Sequence, residues 1–380
     1  MNHLDSSATR RRFLKTLAAG ASMTTLGMTK PFNVVHAANR IRSKDQLGIA
    51  LIGLGSYSTG QLKPALKECT HVKLTGIVTG TPEKAKAWSE EHNLPAGNVY
   101  NYENFDSIAQ NPDIDIVYVV LPNSMHAEYS IRGSQAGKHV ICEKPMASNA
   151  EECRQMIAAA KKANRTLSIG YRMHYEPTTQ EIIRYQRENE MGDIMYVAAG
   201  AGYREGRGDH WKLKRAMSGG ALMDMGVYSL NGARYAVGEE PISVTAQEFK
   251  TRPELFKEVD EVVTWQLQFP SGAVANLSTS FAGGMNYLEA QFRQGWYRLS
   301  PFQSYRGIKG DSSKGALNYP IMNQQAAQMN ETAQRILEGR PMRVPGEEGL
   351  KDMIVVDAVW RSIARNGAKI KLGDWREGLG

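Results

Sequence analysis

Cysteine is scarce in this sequence, and so are uncompensated charge and long apolar runs. The three cysteines among 380 residues, Cys69, Cys142 and Cys153, are an odd and sparse set that excludes a disulfide framework, and we expect all three to be buried thiols. The formal net charge is +7, but residues 1–37 hold five basic residues and one acid, which leaves +3 for the rest. Because no long run of Lys and Arg follows, nucleic acid is not an expected partner.

The amino terminus has the pattern of an export signal. Arg11 and Arg12 precede a mildly apolar stretch at 16–28, and Val35-His36-Ala37 resembles a cleavage site. This order predicts a twin-arginine signal over residues 1–37 and a periplasmic or otherwise exported mature protein without a membrane anchor. The apolar stretch is too short to span a bilayer stably. The alternative is a basic amphipathic helix at a cytoplasmic amino terminus.

A short apolar run, Leu47–Ile52, predicts a buried parallel strand. It leads directly into Gly53-Leu54-Gly55-Ser56-Tyr57-Ser58. The first glycine permits a tight turn, the second lets the backbone approach a pyrophosphate, and Ser58 is small enough for close helix–strand packing. A helix predicted over residues 61–68 would direct its positive end at the phosphates. The segment therefore predicts a dinucleotide-binding turn.

The end of the next predicted strand, 72–78, favours NADP over NAD. An NAD-preferring site usually places Asp or Glu there to bind the ribose 2′-hydroxyl, whereas this chain has Thr79 and then Lys84. A hydroxyl and a nearby ammonium suit a 2′-phosphate, and no carboxylate repels it. The alternative for Lys84 is a solvated position on a helix surface.

The order of predicted elements indicates two domains of the α/β class. Predicted strands at 115–121 and 138–142 flank a helix, and this alternation predicts a Rossmann domain with a doubly wound parallel sheet over residues 45–164. Further on, residues 263–269 alternate apolar and polar side chains, which is typical of a strand with one covered face. We therefore expect residues 165–380 to form an α+β domain with an open, mostly antiparallel sheet.

Several short motifs follow one another in a characteristic order along the chain. They are Gly53-Leu54-Gly55, Leu121-Pro122-Asn123-Ser124-Met125-His126, Glu143-Lys144-Pro145-Met146-Ala147, Gly170-Tyr171-Arg172-Met173-His174-Tyr175, the segment from Gly219 to Tyr228, and Pro345-Gly346-Glu347-Glu348-Gly349-Leu350. Taken together they resemble the glucose–fructose oxidoreductase, inositol dehydrogenase and MocA family, from about Leu47 to the carboxyl terminus. The glucose–fructose type is the most similar, because inositol dehydrogenases typically carry Asp-x-x-x-His where this chain has Asp224-x-x-x-Tyr228.

The resemblance implies an oxidoreductase that moves hydride between a sugar or polyol and a nicotinamide cofactor, with coupled oxidation of one sugar and reduction of another as a further expectation. It assigns catalysis to Lys144, Asp224 and Tyr228. In this assignment Tyr228 exchanges the proton, Lys144 lowers the pKa of the phenol and holds the substrate oxygen, and Asp224 orients substrate hydroxyls. The phenol needs this help because its ordinary pKa lies near 10, and an ammonium within about 4–6 Å favours the phenolate.

The implied cofactor site is larger than the catalytic set. Its expected members are Gly53, Leu54, Gly55, Tyr57, Thr79, Lys84, Leu121, Asn123, His126, Glu143, Lys144, Arg172, Trp211 and Arg215. His174 and Tyr175 are candidates for contact with the sugar, with a structural role as the alternative for His174. Gly219 and Gly220 are expected to let the chain approach the substrate, and no metal is expected. Relatives use the open sheet face between subunits, so we expect a homodimer or homotetramer.

Two other classes of function stay open. A glycosidase of this fold can use bound NAD as a transient oxidant, and Lys144 and Tyr228 would serve that chemistry as well. A non-catalytic sugar or dinucleotide sensor is the other, although a sensor has no need of the full catalytic set. The chain also lacks the proline-rich arm that the glucose–fructose type carries before its first strand. Both retention and exchange of the cofactor are therefore open, and specificity is expected in loops such as 203–213 and 303–310.

Overall fold

A computed structural model describes residues 44–373 of the chain. The expected export signal at 1–37 lies outside the described residues. The described part contains two sheets, of six and nine strands. No helix in residues 44–373 is long and apolar enough to cross a membrane.

The first sheet is parallel, as its apolar runs predict. Its strands are β1 (Leu47–Ile52), β2 (Val72–Val78), β3 (Val99–Tyr100), β4 (Ile116–Val119), β5 (His139–Cys142) and β6 (Leu167–Ile169), and its helices are α1 (Lys63–Leu66), α2 (Pro82–His92), α3 (His126–Gln135) and α4 (Ala150–Lys162). Strands β1, β4 and β5 are buried along their whole length, which is usual for strands covered on both faces. The predicted doubly wound sheet is confirmed.

The strand order places a crevice at one edge of this sheet. The order is β3-β2-β1-β4-β5-β6, so the chain direction across the sheet reverses between β1 and β4. In open parallel sheets, ligands bind at the carboxyl ends of the strands beside such a reversal. Strand β6 lies beyond residue 164, so the sheet extends past the end of the predicted Rossmann segment.

The second sheet is mixed and mostly antiparallel, as expected. Its strands are β7 (Ile194–Gly202), β8 (Ser243–Phe249), β9 (Val262–Gln268), β10 (Val274–Ser280), β11 (Met285–Phe292), β12 (Gly295–Leu299), β13 (Gly310–Ser312), β14 (Gly315–Leu317) and β15 (Ile370–Lys371). All neighbours run antiparallel except β7 and β10.

One face of the second sheet is covered by helices. Along β9, Val263, Trp265 and Leu267 are buried, whereas Thr264 and Gln266 are exposed. The helices α5 (Pro177–Arg187), α6 (Val227–Val237), α7 (Gln324–Glu338) and α8 (Gly346–Ile363) belong to this half of the chain. Helix α6 packs on β7, β10 and β11, and α8 packs on β8. The alternation read from the sequence thus separates a packed face from a polar one.

The carboxyl-terminal part of the chain returns to the first sheet. Helix α7 packs against β2 and against the helical turn Ser58–Leu62, and the side-chain amide of Gln328 donates to the hydroxyl of Tyr118 at 2.8 Å. The backbone N–H of Ile169 donates to the carbonyl oxygen of Val344 at 2.9 Å. Residues 324–344 therefore complete the dinucleotide half that begins at β1.

The cysteines follow the expectation in part. Cys142 and Cys153 are buried and free, and burial raises the pKa of both thiols. Cys69 is also free, but it is only partly buried, so the expectation of three buried thiols is wrong for this residue.

Candidate active site

A cavity of about 470 Å³ lies at the carboxyl ends of the central parallel strands. The expected site residues in its walls are Gly53, Leu54, Gly55, Tyr57, Thr79, Lys84, Leu121, Asn123, His126, Glu143, Lys144, Trp211, Asp224 and Tyr228. They come from the ends of β1, β2, β4 and β5, from a loop of the second half, and from the start of α6. The fold thus brings together in space residues that lie far apart in the sequence.

The turn after β1 has the shape that a pyrophosphate requires. Gly53 has a φ of +93°, and a Cβ atom there would lie 2.5 Å from the carbonyl oxygen of Val120, so only glycine fits. At Gly55, no heavy atom lies within 4 Å of where a Cβ atom would be, which leaves its backbone open to a ligand. The buried hydroxyl of Ser58 donates to the carbonyl oxygen of Gly53 at 2.6 Å and ties the following helical turn to the strand.

The wall after β2 is rich in hydroxyls and carries a cation. Thr79, Thr81 and Lys84 line it, and the Thr79 hydroxyl accepts from the backbone N–H of Thr81 at 3.2 Å. The carboxylates among the lining residues, Glu143 and Asp224, belong to other walls. This wall therefore suits an additional phosphate group.

The proposed catalytic residues meet at one point of the cavity. The Lys144 ammonium donates to the backbone carbonyl oxygen of Asp224 at 2.7 Å and lies 3.9 Å from the Asp224 carboxylate. The same ammonium lies 4.5 Å from the centre of the Tyr228 ring. A π-helical turn, Leu222–Gly226, runs directly into α6, and both Asp224 and Tyr228 line the cavity.

Sequence reasoning missed a second lysine in this group. The Lys212 ammonium donates to Asp224 Oδ2 at 2.7 Å and to the Tyr203 hydroxyl at 3.0 Å, and that hydroxyl lies 3.1 Å from the same carboxylate oxygen. Burial acts to raise the pKa of Asp224, but Lys212 and Lys144 together hold it below its ordinary value. The Asp224 carboxylate is therefore ionised and has two ammonium groups beside it, those of Lys212 and Lys144. The available sequence signal was the position of Lys212 next to Trp211, inside a loop expected to set specificity.

Gly219 and Gly220 have a different role from the one expected. A Cβ atom at Gly219 would lie 2.2 Å from the carbonyl oxygen of Lys212. Gly220 has a φ of +109°, and a Cβ atom there would lie 2.0 Å from Asp260 Oδ1. Asp260 in turn accepts from the backbone N–H of Leu222 at 2.7 Å. The two glycines allow close packing at the start of the catalytic helix, and neither lines the cavity.

Two buried groups fix the segments that carry the site. The Tyr118 hydroxyl donates to Glu143 Oε1 at 2.7 Å, and burial raises the pKa of Glu143. The ring nitrogens of His126 each lie 2.8 Å from a carbonyl oxygen, one of Leu121 and one of Pro145, and burial lowers the pKa of His126. His126 thus joins the ends of β4 and β5 to each other.

Arg172 lies against the catalytic tyrosine. Its guanidinium carbon lies 5.5 Å from the centre of the Tyr228 ring and 4.2 Å from that of Tyr305. Tyr305, which lies in the 303–310 loop expected to set specificity but was not singled out as a site residue, also lines the cavity. Arg172 therefore contacts Tyr228 and Tyr305, and these two residues line the cavity.

Arg172 does not line the cavity itself, and three further expected site residues lie elsewhere. Arg215 donates to the carbonyl oxygen of Glu258 at 2.9 Å and lines a separate cavity of about 440 Å³. His174 packs on Tyr235 with ring centres 4.1 Å apart, and burial lowers its pKa to about 3, which fits the structural alternative. Tyr175 is buried with its ring under the guanidinium of Arg343. Their positions therefore give no contact with this cavity.

In residues 44–373, no group of three or more His, Cys, Asp or Glu side chains is placed to hold a metal ion.

Comparison with known proteins gives two family matches and several relatives. The model of an oxidoreductase family with an NAD-binding Rossmann fold (Gfo/Idh/MocA) matches residues 47–171, and the model of the carboxyl-terminal domain of that family matches residues 179–298. A crystal structure of aldose-aldose oxidoreductase from Caulobacter crescentus, complexed with glycerol, is 42% identical with a TM-score of 0.83, and the match covers 86% of this chain and 100% of that chain.

Two further relatives differ more in sequence. D-xylose 1-dehydrogenase (NADP(+)) from Haloarcula marismortui is 27% identical over 324 residues, which are 82% of this chain and 90% of that protein. The structure of levoglucosan dehydrogenase with NADH and levoglucosan is 21% identical with a TM-score of 0.75, covering 87% of this chain and 100% of that one, and this likeness concerns the fold alone.

Proposed function

Because the chain belongs to the Gfo/Idh/MocA family of oxidoreductases, we propose that it transfers hydride between sugars and NADP. The observation that carries this proposal is the meeting of Lys144, Asp224 and Tyr228 in the cavity that also contains the Gly53 turn. The names of two relatives, an aldose-aldose oxidoreductase and an NADP(+)-dependent xylose dehydrogenase, support the same substrate and cofactor classes.

The residues present fit NADP. The open backbone at Gly55 and the helical turn that begins at Ser58 suit the pyrophosphate. Thr79, Thr81 and Lys84 would hold the 2′-phosphate, because hydroxyls and an ammonium bind it and no carboxylate lines this wall of the cavity. When bound, the cofactor accepts or supplies the hydride.

Side chains of the protein would transfer the proton and bind the substrate. In oxidation, Tyr228 takes the proton of the sugar hydroxyl while the carbon that bears this hydroxyl loses a hydride. In reduction, Tyr228 returns the proton to the oxygen. The Lys144 ammonium, 4.5 Å from the ring centre, favours the phenolate and binds the substrate oxygen. Asp224, fixed as an anion by Lys212 and Lys144, accepts hydrogen bonds from neighbouring sugar hydroxyls.

We further propose that one aldose is oxidised and a second is reduced on the same cofactor. Oxidation of the hemiacetal carbon of an aldose to a lactone gives up one hydride and one proton. Reduction of the open-chain aldehyde of a second aldose consumes both and yields an alditol, so no net cofactor is used. The likeness to an aldose-aldose oxidoreductase supports coupled oxidation and reduction of two aldoses over oxidation of one aldose with an exchanging cofactor.

Location and assembly belong to the same proposal. The twin arginine at residues 11–12 supports export of the folded protein. A coupled reaction regenerates the bound cofactor, so an exported enzyme would not need NADP from the cytoplasm. The polar face of the second sheet, with Tyr196, Thr264 and Gln266, supports a contact between subunits. Cell fractionation of wild type and an R11K/R12K variant tests the first proposal, and light scattering of the purified protein tests the second.

The decisive experiment uses purified protein without added cofactor. Denaturation and chromatography identify any nucleotide released, and the native protein is then supplied with one aldose, with an aldose pair, and with added NADP or NAD. Stoichiometric NADP(H) together with formation of lactone and alditol in equal amounts is the expected result. Tyr228→Phe should lower turnover by about 10²- to 10⁴-fold and still bind nucleotide.

Other outcomes would assign other functions. An enzyme that needs added NADP and forms lactone alone is a conventional dehydrogenase. Release of free sugar from a glycoside without net redox change would replace the proposal with an NAD-dependent glycosidase. A protein that binds no nicotinamide nucleotide and converts no aldose or polyol would refute the proposed function.

A further inference from the structure

Arg172 is a charged side chain that the core holds without a carboxylate partner. It is only 1% exposed. Its terminal nitrogens donate to neutral acceptors, which are the carbonyl oxygen of Ser304 at 3.0 Å, the amide oxygens of Gln303 and Gln324, and the sulfur of the neighbouring Met173 at 3.4 Å. Its Nε has no partner. Within residues 44–373, no Asp or Glu oxygen lies within 4.0 Å of its guanidinium.

Such an arrangement is unfavourable for folding alone. A buried charge is strongly destabilising unless a counter-charge or a full set of hydrogen bonds compensates it, and the hydrogen bonds of Arg172 leave one nitrogen unsatisfied. Perturbed, uncompensated charges of this kind are concentrated at functional sites. The surroundings of Arg172 therefore identify which group its charge acts on.

The ionisable groups that interact with Arg172 are phenols and, beyond 4.0 Å, the buried carboxyl of Glu143, whose pKa Arg172 acts to lower. The guanidinium carbon lies 4.2 Å from the ring centre of Tyr305 and 5.5 Å from that of Tyr228. Burial acts to lower the pKa of Arg172, but the phenols of Tyr228, Tyr305 and Tyr57 raise it above its ordinary value, so the side chain stays charged. Of the three phenols, only Tyr228 also lies beside the Lys144 ammonium, at 4.5 Å from the ring centre.

The two cations beside Tyr228, Lys144 and Arg172, differ in how far a nearby anion compensates their charge. Lys144 donates to the carbonyl oxygen of Asp224 at 2.7 Å and has the Asp224 carboxylate 3.9 Å away. Arg172 has no anion of its own at comparable distance in the described part of the chain. The field of Arg172 at the phenol is therefore the less compensated of the two.

We propose that Arg172 stabilises the phenolate form of Tyr228 together with Lys144, and so acts through the proton-exchanging residue rather than on the cofactor. The inference rests on the proposed function, in which a phenolate takes the proton of the sugar hydroxyl. An opposite charge within about 4–6 Å favours the ionised form of a group. Arg172 is thus a positioning residue that sets the protonation state of the base.

The test compares pH profiles of kcat/KM for sugar oxidation. For Arg172→Gln the limb that reports the base should move up by about one pH unit, so that activity near neutral pH falls about tenfold and is recovered at alkaline pH. Arg172→Lys should shift the limb less, and the Kd for NADP should not change. Arg343→Gln is the matched control, because Arg343 also lies 5.5 Å from a tyrosine ring centre, that of Tyr175, outside the cavity.

A second variant covers the case in which Arg172→Gln does not fold. Gln324→Glu places a carboxylate on the guanidinium that Gln324 now binds, so it compensates the charge of Arg172 without removing it. The same upward movement of the base limb is expected. Profiles of either variant that superimpose on wild type would overturn the proposal, and so would a loss of activity that follows a raised Kd for NADP with an unmoved limb.

A measurement without substrate separates this inference from the proposed function. Ultraviolet difference titration of wild type against Tyr228→Phe reports the ionisation of Tyr228 alone, and the same titration in the Arg172→Gln background should give a pKa about one unit higher. If no sugar is converted but this shift appears, the proposed function fails and the role of Arg172 stands. If sugars are converted but the titration of Tyr228 is the same in the Arg172→Gln background, the proposed function stands and the role of Arg172 is refuted.

Discussion

Lys84 offers a direct test of the cofactor assignment. It lies in the first turn of α2, and its side chain lines the cavity beside Thr79 and Thr81. Lys84→Ala removes an ammonium that a 2′-phosphate would use and NAD would not. A hydrogen bond to a charged group contributes about 1.5–3 kcal/mol, and about 1.4 kcal/mol is tenfold in affinity. We therefore expect the Kd for NADP to rise about 10- to 100-fold, with the Kd for NAD changed by less than about twofold.

The assay is a calorimetric titration of nucleotide-free protein with NADP and with NAD. Lys86→Ala is the matched control, because Lys86 lies in the same helix with a side chain that is 76% exposed and 3.9 Å from Glu90. It should bind both nucleotides like wild type. Equal losses for NADP and NAD in Lys84→Ala, or no loss for either, would refute the assignment of the 2′-phosphate to this wall.

Three further predictions concern the start of the catalytic helix. Gly220→Ala should lower the free energy of unfolding by about 2–4 kcal/mol, because φ is +109° and the new Cβ would lie 2.0 Å from Asp260 Oδ1; an unchanged urea midpoint would contradict this. Burial raises the pKa of Asp260 from 3.8 to about 7, so its contribution to stability is present below the unfolded pKa and is lost as pH rises through the folded one. Asp260→Asn, which still accepts from Leu222, should therefore gain stability relative to wild type as the pH rises from about 4 to about 7, and a pH-independent difference in urea unfolding would argue otherwise. Lys212→Met should move the acid limb of kcat/KM to higher pH, because Asp224 loses the ammonium at 2.7 Å, and an unmoved limb would mean that Lys144 alone keeps the carboxylate ionised.

The sequence predicted the dinucleotide half in detail because its signals are local. The apolar run Leu47–Ile52 is β1, and Gly53, which follows it, meets a steric limit that only a missing side chain satisfies. The residues after β2, β4 and β5 converge because parallel strands end at one edge. Lys144 and Tyr228, matched by resemblance to known motifs, lie together in the cavity.

The sequence could not predict contacts that depend on where loops of the second half lie. Lys212 and Tyr305 enter the cavity from segments without a periodic pattern. Arg215 and His174 carry side chains suited to ligands, yet one is held at Glu258 and the other packs beneath Tyr235. Only tertiary packing decides between these positions.

The return of α7 and the following segment to the first sheet has a consequence for biosynthesis. The Tyr118 hydroxyl, which holds Glu143 in the cavity wall, receives its own hydrogen bond from Gln328, and the edge strand β6 is joined to Val344. On the ribosome, the nucleotide-binding half emerges first but is completed only after residue 344 has been made. A chain that stops short of α7 would leave Tyr118 and the edge of β6 without these partners, so we expect stable nucleotide binding only in chains that extend past residue 344.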